Sequence, residues 1–265
     1  MEQDVVSTPY RLHARLLTVA RVEDLSPTMR RISVSGPELE PGLPYVRGAV
    51  ADHVKVVIPD EATGRVTLPR VGEHGLVPGP SAVRTYTIRS FSPERRELTL
   101  DFVLHPHGPA GRWAARARPG DPVGVLGPRG STRYPTGYAH YVIAADQTGL
   151  PAAERWIEEA PRGAGLDVFI LVPDAGAERV LPFHPRLRLH WLHQDAGADL
   201  GAAAREAAMT AGLSSFVWAA AEATALVPLR RLLPRGGFER RQLSLHGYWK
   251  AGETDHHEHA RAATG

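Results

Sequence analysis

The sequence predicts a chain in two parts: an N-terminal six-stranded antiparallel β-barrel, then an α/β domain with a parallel sheet. Three observations carry that reading. Short alternating apolar runs separated by Gly- and Pro-rich turns fill residues 1–133, as in a small antiparallel barrel. Gly127-Pro128-Arg129-Gly130-Ser131 and Pro135-Thr136-Gly137 then read as an interdomain linker at 128–137. From 138 to 265, unbroken apolar runs alternate with helical stretches, the order of parallel strands with crossover helices. A chain of 265 residues accommodates two domains of ordinary size.

In the first part, strands are expected at 12–23 and 28–35, parted by the turn sequence Asp24-Leu25-Ser26-Pro27. Residues 51–58 alternate so that Val54, Val56 and Ile58 face one way and His53, Lys55 and Val57 the other. Strands at 83–89 and 96–104 flank the turn Ser92-Pro93-Glu94, and a sixth lies at 122–126 after Pro119-Gly120-Asp121. The long Gly/Pro-rich stretch at 59–82 reads as a loop. One helix, at 109–117, starts with Pro109 at its first position. In the second part, strands are expected at 139–145, 166–172, 187–192, 214–220 and 242–248, and helices at 151–161, 199–211 and 222–233. A short exposed helix is expected at 253–262.

Composition narrows the chemistry. The chain has no cysteine, which excludes disulfides, cysteine-ligated iron–sulfur clusters and thiolate haem. Redox chemistry would then fall to a bound organic cofactor or to a metal carried by the substrate. A net charge of only +2 gives no reason to expect nucleic acid as a partner. No apolar run reaches the length of a membrane span or resembles a signal peptide, so the expectation is a cytoplasmic protein without stable membrane insertion. Among the 31 basic residues only Lys55 and Lys250 are lysines; the rest are arginines.

The most informative stretch is Arg84-Thr85-Tyr86-Thr87-Ile88-Arg89. On a strand Arg84 and Tyr86 share a face, and Thr87 follows. A flat ring, a fixed cation and a small hydroxyl in that order suit a flavin dinucleotide. Tyr86 would lie against the isoalloxazine, Arg84 would pair with the pyrophosphate through its planar fork, and Thr87 would bond the ring edge. Gly108-Pro109-Ala110-Gly111 opens the helix with exposed backbone N–H groups, an anion site in waiting.

The first strand of the second part ends in Ala145-Asp146-Gln147-Thr148-Gly149-Leu150-Pro151, a small-residue turn at the carboxyl edge of a parallel sheet, where ligands of such sheets bind. It lacks the G-x-G-x-x-G fingerprint. Asp174, just after the second strand, suits a ribose hydroxyl pair, whereas nearby Arg179 suits a 2′-phosphate, so NADH and NADPH both stay open. Trp218-Ala219-Ala220-Ala221-Glu222 repeats the strand-end pattern and would let a nicotinamide nucleotide approach.

Taken together, His53-Val54-Lys55, the run at 84–89, Asp101-Phe102-Val103-Leu104-His105, Gly108-Pro109-Ala110 with Trp113, Asp146 with Thr148 to Pro151, Glu222 and Gly247-Tyr248-Trp249-Lys250 resemble the siderophore-interacting protein family, flavin-dependent ferric siderophore reductases. The resemblance covers nearly the whole chain. It implies a ferredoxin-reductase-like architecture, with an FAD-binding barrel over 1–133 and an NAD(P)H-binding α/β domain over 138–265. It implies FAD held by Arg84, Tyr86, Thr87, Val103, His105 and Gly108 to Gly111, with Asp146, Thr148 and Glu222 on the nicotinamide side. It places Lys55, Arg129 and Lys250 in a basic pocket for a ferric siderophore, often an anionic ligand. No residue is required as acid or base.

Three departures from the family pattern stand out. Gln147 replaces a glutamate, Ala221 replaces a glycine, and Lys250-Ala251 stands where two arginines are common. The tail Asp255-His256-His257-Glu258-His259 puts His256 and His259 on one helix face, but no metal site is assigned to it. Two other functions stay open at this point: a flavin reductase serving another acceptor, and a protein that binds siderophore without turnover.

Overall fold

The computed structural model describes residues 4–40, 42–72, 75–77 and 79–253. The chain divides into two compact units, one spanning Val6–Tyr134 and one that takes in Pro135 onward. The first unit holds strands β1 (Val6–Pro9), β2 (Ala14–Ser26), β3 (Met29–Ser35), β4 (His53–Val57), β5 (Arg70–Gly72), β6 (Gly75–Val77), β7 (Val83–Thr87), β8 (Ser90–Ser92) and β9 (Glu97–Val103). Helix α1 (Pro109–Arg116) and strands β10 (Pro122–Leu126) and β11 (Gly130–Arg133) complete it.

Seven of these strands form one antiparallel sheet in the order β7-β4-β10-β2-β3-β9-β8. Its two outermost strands are consecutive in sequence, separated only by Ile88 and Arg89. The Ile88 N–H donates to the Asp52 carbonyl at 2.8 Å and the Arg89 N–H to the Thr99 carbonyl at 3.0 Å. One bent segment thus supplies a strand to each rim of the sheet. The sequence read 83–89 as a single strand; the strand ends at Thr87, and β8, which the sequence did not mark, follows at Ser90–Ser92.

Period-two alternation fills the interior with Leu17, Val19, Ile32, Val34, Val54, Val56, Leu98, Leu100, Phe102, Val123 and Val125. Helix α1 adds Ala110, Trp113, Ala114 and Ala117 to the same core. That i, i+3, i+4, i+7 spacing makes one apolar stripe, which fixes α1 to the sheet.

Two sequence expectations change in this unit. The expected linker at 128–137 contains β11, which pairs antiparallel with β1. Four residues, Gly-Ser-Thr-Arg, with no apolar side chain leave little strand signal in a Gly/Pro-rich run. The expected loop at 59–82 contains the β5–β6 hairpin.

The second unit holds β12 (His140–Asp146), α2 (Leu150–Glu159), β13 (Gly165–Val172), β14 (Leu187–His193), α3 (Leu200–Ala211), β15 (Ser215–Glu222), α4 (Val227–Leu232) and β16 (Leu243–Trp249). All five strands are parallel, in the order β14-β13-β12-β15-β16. Central β12 buries Val142, Ile143, Ala144 and Ala145 consecutively, because both faces of a parallel sheet are covered. Leu200, Ala204 and Ala208 of α3 and Leu229 of α4 pack on the face bearing Val142, Val217 and Ala219. An aromatic cluster of Tyr138, Tyr141, Trp156, Phe216 and Trp218 packs on the other residues of β12 and β15.

The helix expected at 222–233 begins only at Val227, because Glu222 still belongs to β15 and its carboxylate binds the turn that follows. The expected helix at 253–262, with His256 and His259, lies outside the described residues apart from its first residue, Glu253.

Candidate functional site

In the first unit the candidate site starts on β7. The register sets Val56 opposite Arg84, Lys55 opposite Thr85, Val54 opposite Tyr86 and His53 opposite Thr87. Arg84 and Tyr86 therefore share the face of Val54 and Val56, while Thr87 points to the other. The Tyr86 ring packs on Phe102 at 4.2 Å between centroids, tilted 39°, and Phe102 packs edge-on against Trp113 of α1 at 5.4 Å. Three aromatic rings thus link β7 to α1 and hold the half-buried Tyr86 ring rigid. Burial pushes the Tyr86 phenol far above its ordinary value, against the smaller opposing pull of Arg84, so it stays neutral at physiological pH. Arg84 Nη1 donates to the Val83 carbonyl at 2.8 Å, which orients the guanidinium.

Val103 ends β9 opposite Met29, and the chain runs on through His105 to Gly108. Gly108 has a φ of 88°, a left-handed turn that a side chain would strain. A Cβ built on Gly111 would lie 2.4 Å from the His105 carbonyl oxygen and 2.9 Å from its ring. The first turn of α1 rests directly on His105, and only glycine allows it. The His105 imidazole is held below its ordinary value, first by partial burial and then by the neighbouring His107, Arg112 and Arg84 charges. The Tyr86–Phe102–Trp113 ring contacts place the R-x-Y-T strand beside α1. The residues fit FAD: a fixed flat ring, a cationic fork, and a bare backbone turn whose N–H groups lack helical partners. Arg112, which the sequence left without a role, stands in the same turn; its Nε and Nη2 donate to Glu61 Oε2 at 3.2 and 3.0 Å. A cleft of about 440 Å³ lies beside α1, lined by Ile58, Glu61, Ala82, Pro109 and Trp113.

Lys55 projects from the face opposite Arg84 and Tyr86, and its Nζ donates to Thr85 Oγ1 at 3.5 Å. On its other side Lys55 pairs with Leu126, three residues before Arg129. Arg129 is exposed in the turn after a cis Gly127-Pro128 bond, and its carbonyl accepts the Tyr10 N–H at 2.7 Å. Buried Asp52 accepts the Thr132 N–H at 3.0 Å and the Ser131 hydroxyl, tying β11 to the start of β4. Lys55 thus lies on the strand beside the one that leads into Arg129. Lys250 belongs to the second unit, where its Nζ pairs with Glu253 and its pKa is raised by that carboxylate.

In the second unit the candidate site is the carboxyl edge of the sheet, and Asp146 organises it. Its Oδ1 accepts from the Thr148 N–H at 2.8 Å, the Thr148 hydroxyl at 2.6 Å and the Gly149 N–H at 3.4 Å. Its Oδ2 accepts from the Glu222 N–H at 2.9 Å and the Trp249 indole at 2.7 Å. Burial pushes this carboxyl above its ordinary value, and the donors counter that by favouring the anion. Asp146 therefore joins the ends of β12, β15 and β16. Glu222 does similar work one layer out: Oε2 accepts the Thr224 and Ala225 N–H groups at 2.7 and 3.0 Å, and Oε1 accepts the Ala251 N–H at 3.3 Å. Burial raises its pKa, but the bonds outweigh burial and the net shift is downward.

Gly149 has to be glycine, since a Cβ there would lie 2.3 Å from the Ala220 carbonyl oxygen. The Ala221 methyl, which the sequence placed at a close-approach position, is buried in the core beside α3 and α4. Asp174 is exposed and caps a short turn by accepting the Gly176 N–H at 2.7 Å. Arg179 is drawn into a buried ion pair with Glu154 of α2 at 2.5 Å, so it does not present an open fork for a 2′-phosphate. Trp249, quoted in the sequence only as part of a motif, is a member of the Asp146 cluster. Nothing in a linear sequence distinguishes it from any other tryptophan that ends a strand.

Comparison with known proteins gives this geometry its family. The profile of the siderophore-interacting FAD-binding domain matches residues 18–132, and that of the siderophore-interacting protein matches 138–252. The chain belongs to the siderophore-interacting protein family. Among its relatives is the ferric vibriobactin reductase ViuB of Vibrio cholerae, 29% identical over 260 residues, or 94% of each chain. The NADPH-dependent ferric-chelate reductase of Escherichia coli is 31% identical over 91% of this chain and 94% of its own. Among solved structures, a siderophore utilization protein from T. fusca is 42% identical, with a TM-score of 0.89 over 97% of this chain and 100% of its own. A ferredoxin reductase of carbazole 1,9a-dioxygenase, 11% identical with a TM-score of 0.67 over 91% of this chain and 70% of its own, shares the fold. The antiparallel unit and the parallel α/β unit thus have the fold of a ferredoxin reductase. No helix among the described residues is long and apolar enough to cross a membrane.

Proposed function

We propose that this protein is an FAD-dependent ferric siderophore reductase that draws electrons from NADH or NADPH. The observation that carries the reading is the ring chain Tyr86–Phe102–Trp113, which ties the Arg84/Tyr86 strand to the helix opened by the bare glycine turn, inside the segment matched by the FAD-binding domain. The names of the Vibrio cholerae and Escherichia coli relatives support the acceptor. Counting 83–92 as one bent strand, we read the antiparallel sheet as a six-stranded flavin barrel within 1–133, with 138–265 as the nucleotide domain. The compartment we assign is the cytoplasm.

Arg84 neutralises the pyrophosphate, the Gly108–Gly111 turn donates backbone N–H groups to it, and Tyr86 supplies a flat wall. Val103 and His105 line the same pocket from the neighbouring strand, and Thr87 bonds at its edge. FAD held by these residues would supply the chemistry of accepting a hydride from the nucleotide and passing single electrons to Fe(III). No side chain needs to move a proton, so the protein contributes position and electrostatics. Asp146 and Glu222 hold the nucleotide edge of the sheet in shape, and Thr148 stands in the turn the nucleotide meets. Lys55, Arg129 and Lys250 attract a ferric siderophore, the substrate whose hard oxygen ligands hold Fe(II) less well than Fe(III).

The test is an anaerobic assay of Fe(II) trapped by a ferrous chelator, with several ferric siderophores and both nucleotides. Nucleotide-dependent Fe(II) release by the FAD-loaded protein is expected. Bleaching of the flavin by nucleotide without Fe(II) release would favour a reductase for another acceptor, and no bleaching would favour a binding protein.

A further inference from the structure

The sheet register slips where β15 and β16 end. Ala221 pairs with Gly247, but Glu222 pairs with Trp249, leaving Tyr248 as an extra residue on β16. Such a bulge re-aims the side chain that follows it. Here it turns Trp249 so that its indole N–H reaches Asp146 Oδ2 at 2.7 Å, on a strand two places away in the sheet. The Trp249 carbonyl is also held, by the Ala223 N–H at 2.9 Å. The residue is nevertheless 41% exposed. A large ring whose single polar atom is fastened to a buried carboxylate, while much of its surface faces outward, is not accounted for by core packing. Tryptophan that serves a core buries its rings, as Trp156 and Trp218 do in this unit.

Its location gives the ring a ligand. Trp249 stands at the carboxyl edge of the parallel sheet, beside the ends of β12 and β15, where dinucleotides lie in open α/β sheets. Asp174, which suits an adenosine ribose, follows β13, on the other side of β12. A dinucleotide with its adenosine over β13 extends its other end toward β15 and β16. We infer that the Trp249 indole is the stacking platform for the nicotinamide ring of NADH or NADPH, with Asp146 as the positioning residue that fixes the indole plane. The inference rests on the proposed reductase reading and adds the residue that places the hydride donor.

Titration calorimetry of the FAD-loaded protein with NAD⁺, NADP⁺ and ADP-ribose tests it. In Trp249→Leu, both whole nucleotides should bind about tenfold more weakly and ADP-ribose as in the parent, since only the nicotinamide loses its stacking partner. Trp249→Phe keeps a ring and should stay within about threefold of the parent. In the parent, tryptophan emission should transfer energy to bound NADPH, and Trp249→Phe should lose most of that transfer, a readout independent of activity. Unchanged nucleotide affinity in Trp249→Leu overturns the inference, as does an equal loss for ADP-ribose, which would mean damage to the whole edge. If the parent protein bound neither nucleotide, the reductase reading itself would fall.

Discussion

At the residue scale, Asp146 and Arg84 carry the sharpest expectations. Asp146 accepts from donors on Thr148, Gly149, Glu222 and Trp249. Asn at this position keeps the shape but sets an NH₂ group against N–H or O–H donors, whichever way the amide turns. Asp146→Asn should therefore cost about 3 kcal/mol, followed by urea unfolding with tryptophan fluorescence, while FAD content stays at the parent level. Arg84 gives the opposite pattern. Its guanidinium is oriented by the Val83 carbonyl. Arg84→Ala should weaken FAD by about 2–4 kcal/mol with little change in fold, measured by flavin titration of the stripped protein; unaltered occupancy at low FAD would remove Arg84 from the site.

At the scale of elements, the edge pair β13–β14 carries a pH-sensitive clasp away from the carboxyl edge of the sheet. Asp167 on β13 accepts from His140 of β12 at 2.8 Å and from both Nε and Nη2 of Arg188 on β14. Burial raises the Asp167 pKa, but the bonds from Arg188 and His140 outweigh it and the net value falls below the ordinary 3.8. A carboxyl depressed in the folded state stabilises above its unfolded pKa and loses that contribution as pH falls through the folded one. The parent should therefore lose stability as pH drops below about 4, and Asp167→Asn should be less stable at neutral pH with a flatter acid limb. Thermal unfolding across that range checks both. A parallel acid limb in the variant would show that other carboxylates dominate.

For the molecule as a whole, the basic residues test how function is distributed. Lys55 and Arg129 lie in the first unit and Lys250 in the second, so any shared action on one substrate draws on both. Each charge is solvent-accessible, and Lys250 is shared with Glu253, so single changes should be mild. Lys55→Ala combined with Lys250→Ala should raise KM for an anionic ferric siderophore several-fold and flatten its salt dependence. Flavin reduction by nucleotide should hardly change. If the double variant handled the anionic substrate like the parent, the pocket assignment would fail and the reductase reading would stand.

The strands of both halves were legible in sequence because alternation and unbroken apolar runs are local consequences of one-sided and two-sided burial, as in Val54-Val56-Ile58 and Val142-Ile143-Ala144-Ala145. The shared face of Arg84 and Tyr86 was legible for a similar reason, by simple alternation. What the sequence left undetermined involves partners distant along the chain. β11 is a strand because β1 pairs with it, more than a hundred residues earlier. Arg179 is spent on Glu154, and Ala221 turns its methyl into the core. Asp146 is fastened by Trp249 from 103 residues away, through a bulge that no local pattern announces. Periodicity reports which face of an element is buried. Which group a buried carboxylate meets depends on sheet order and register, and these are set only when the separate strands come together in the folded chain.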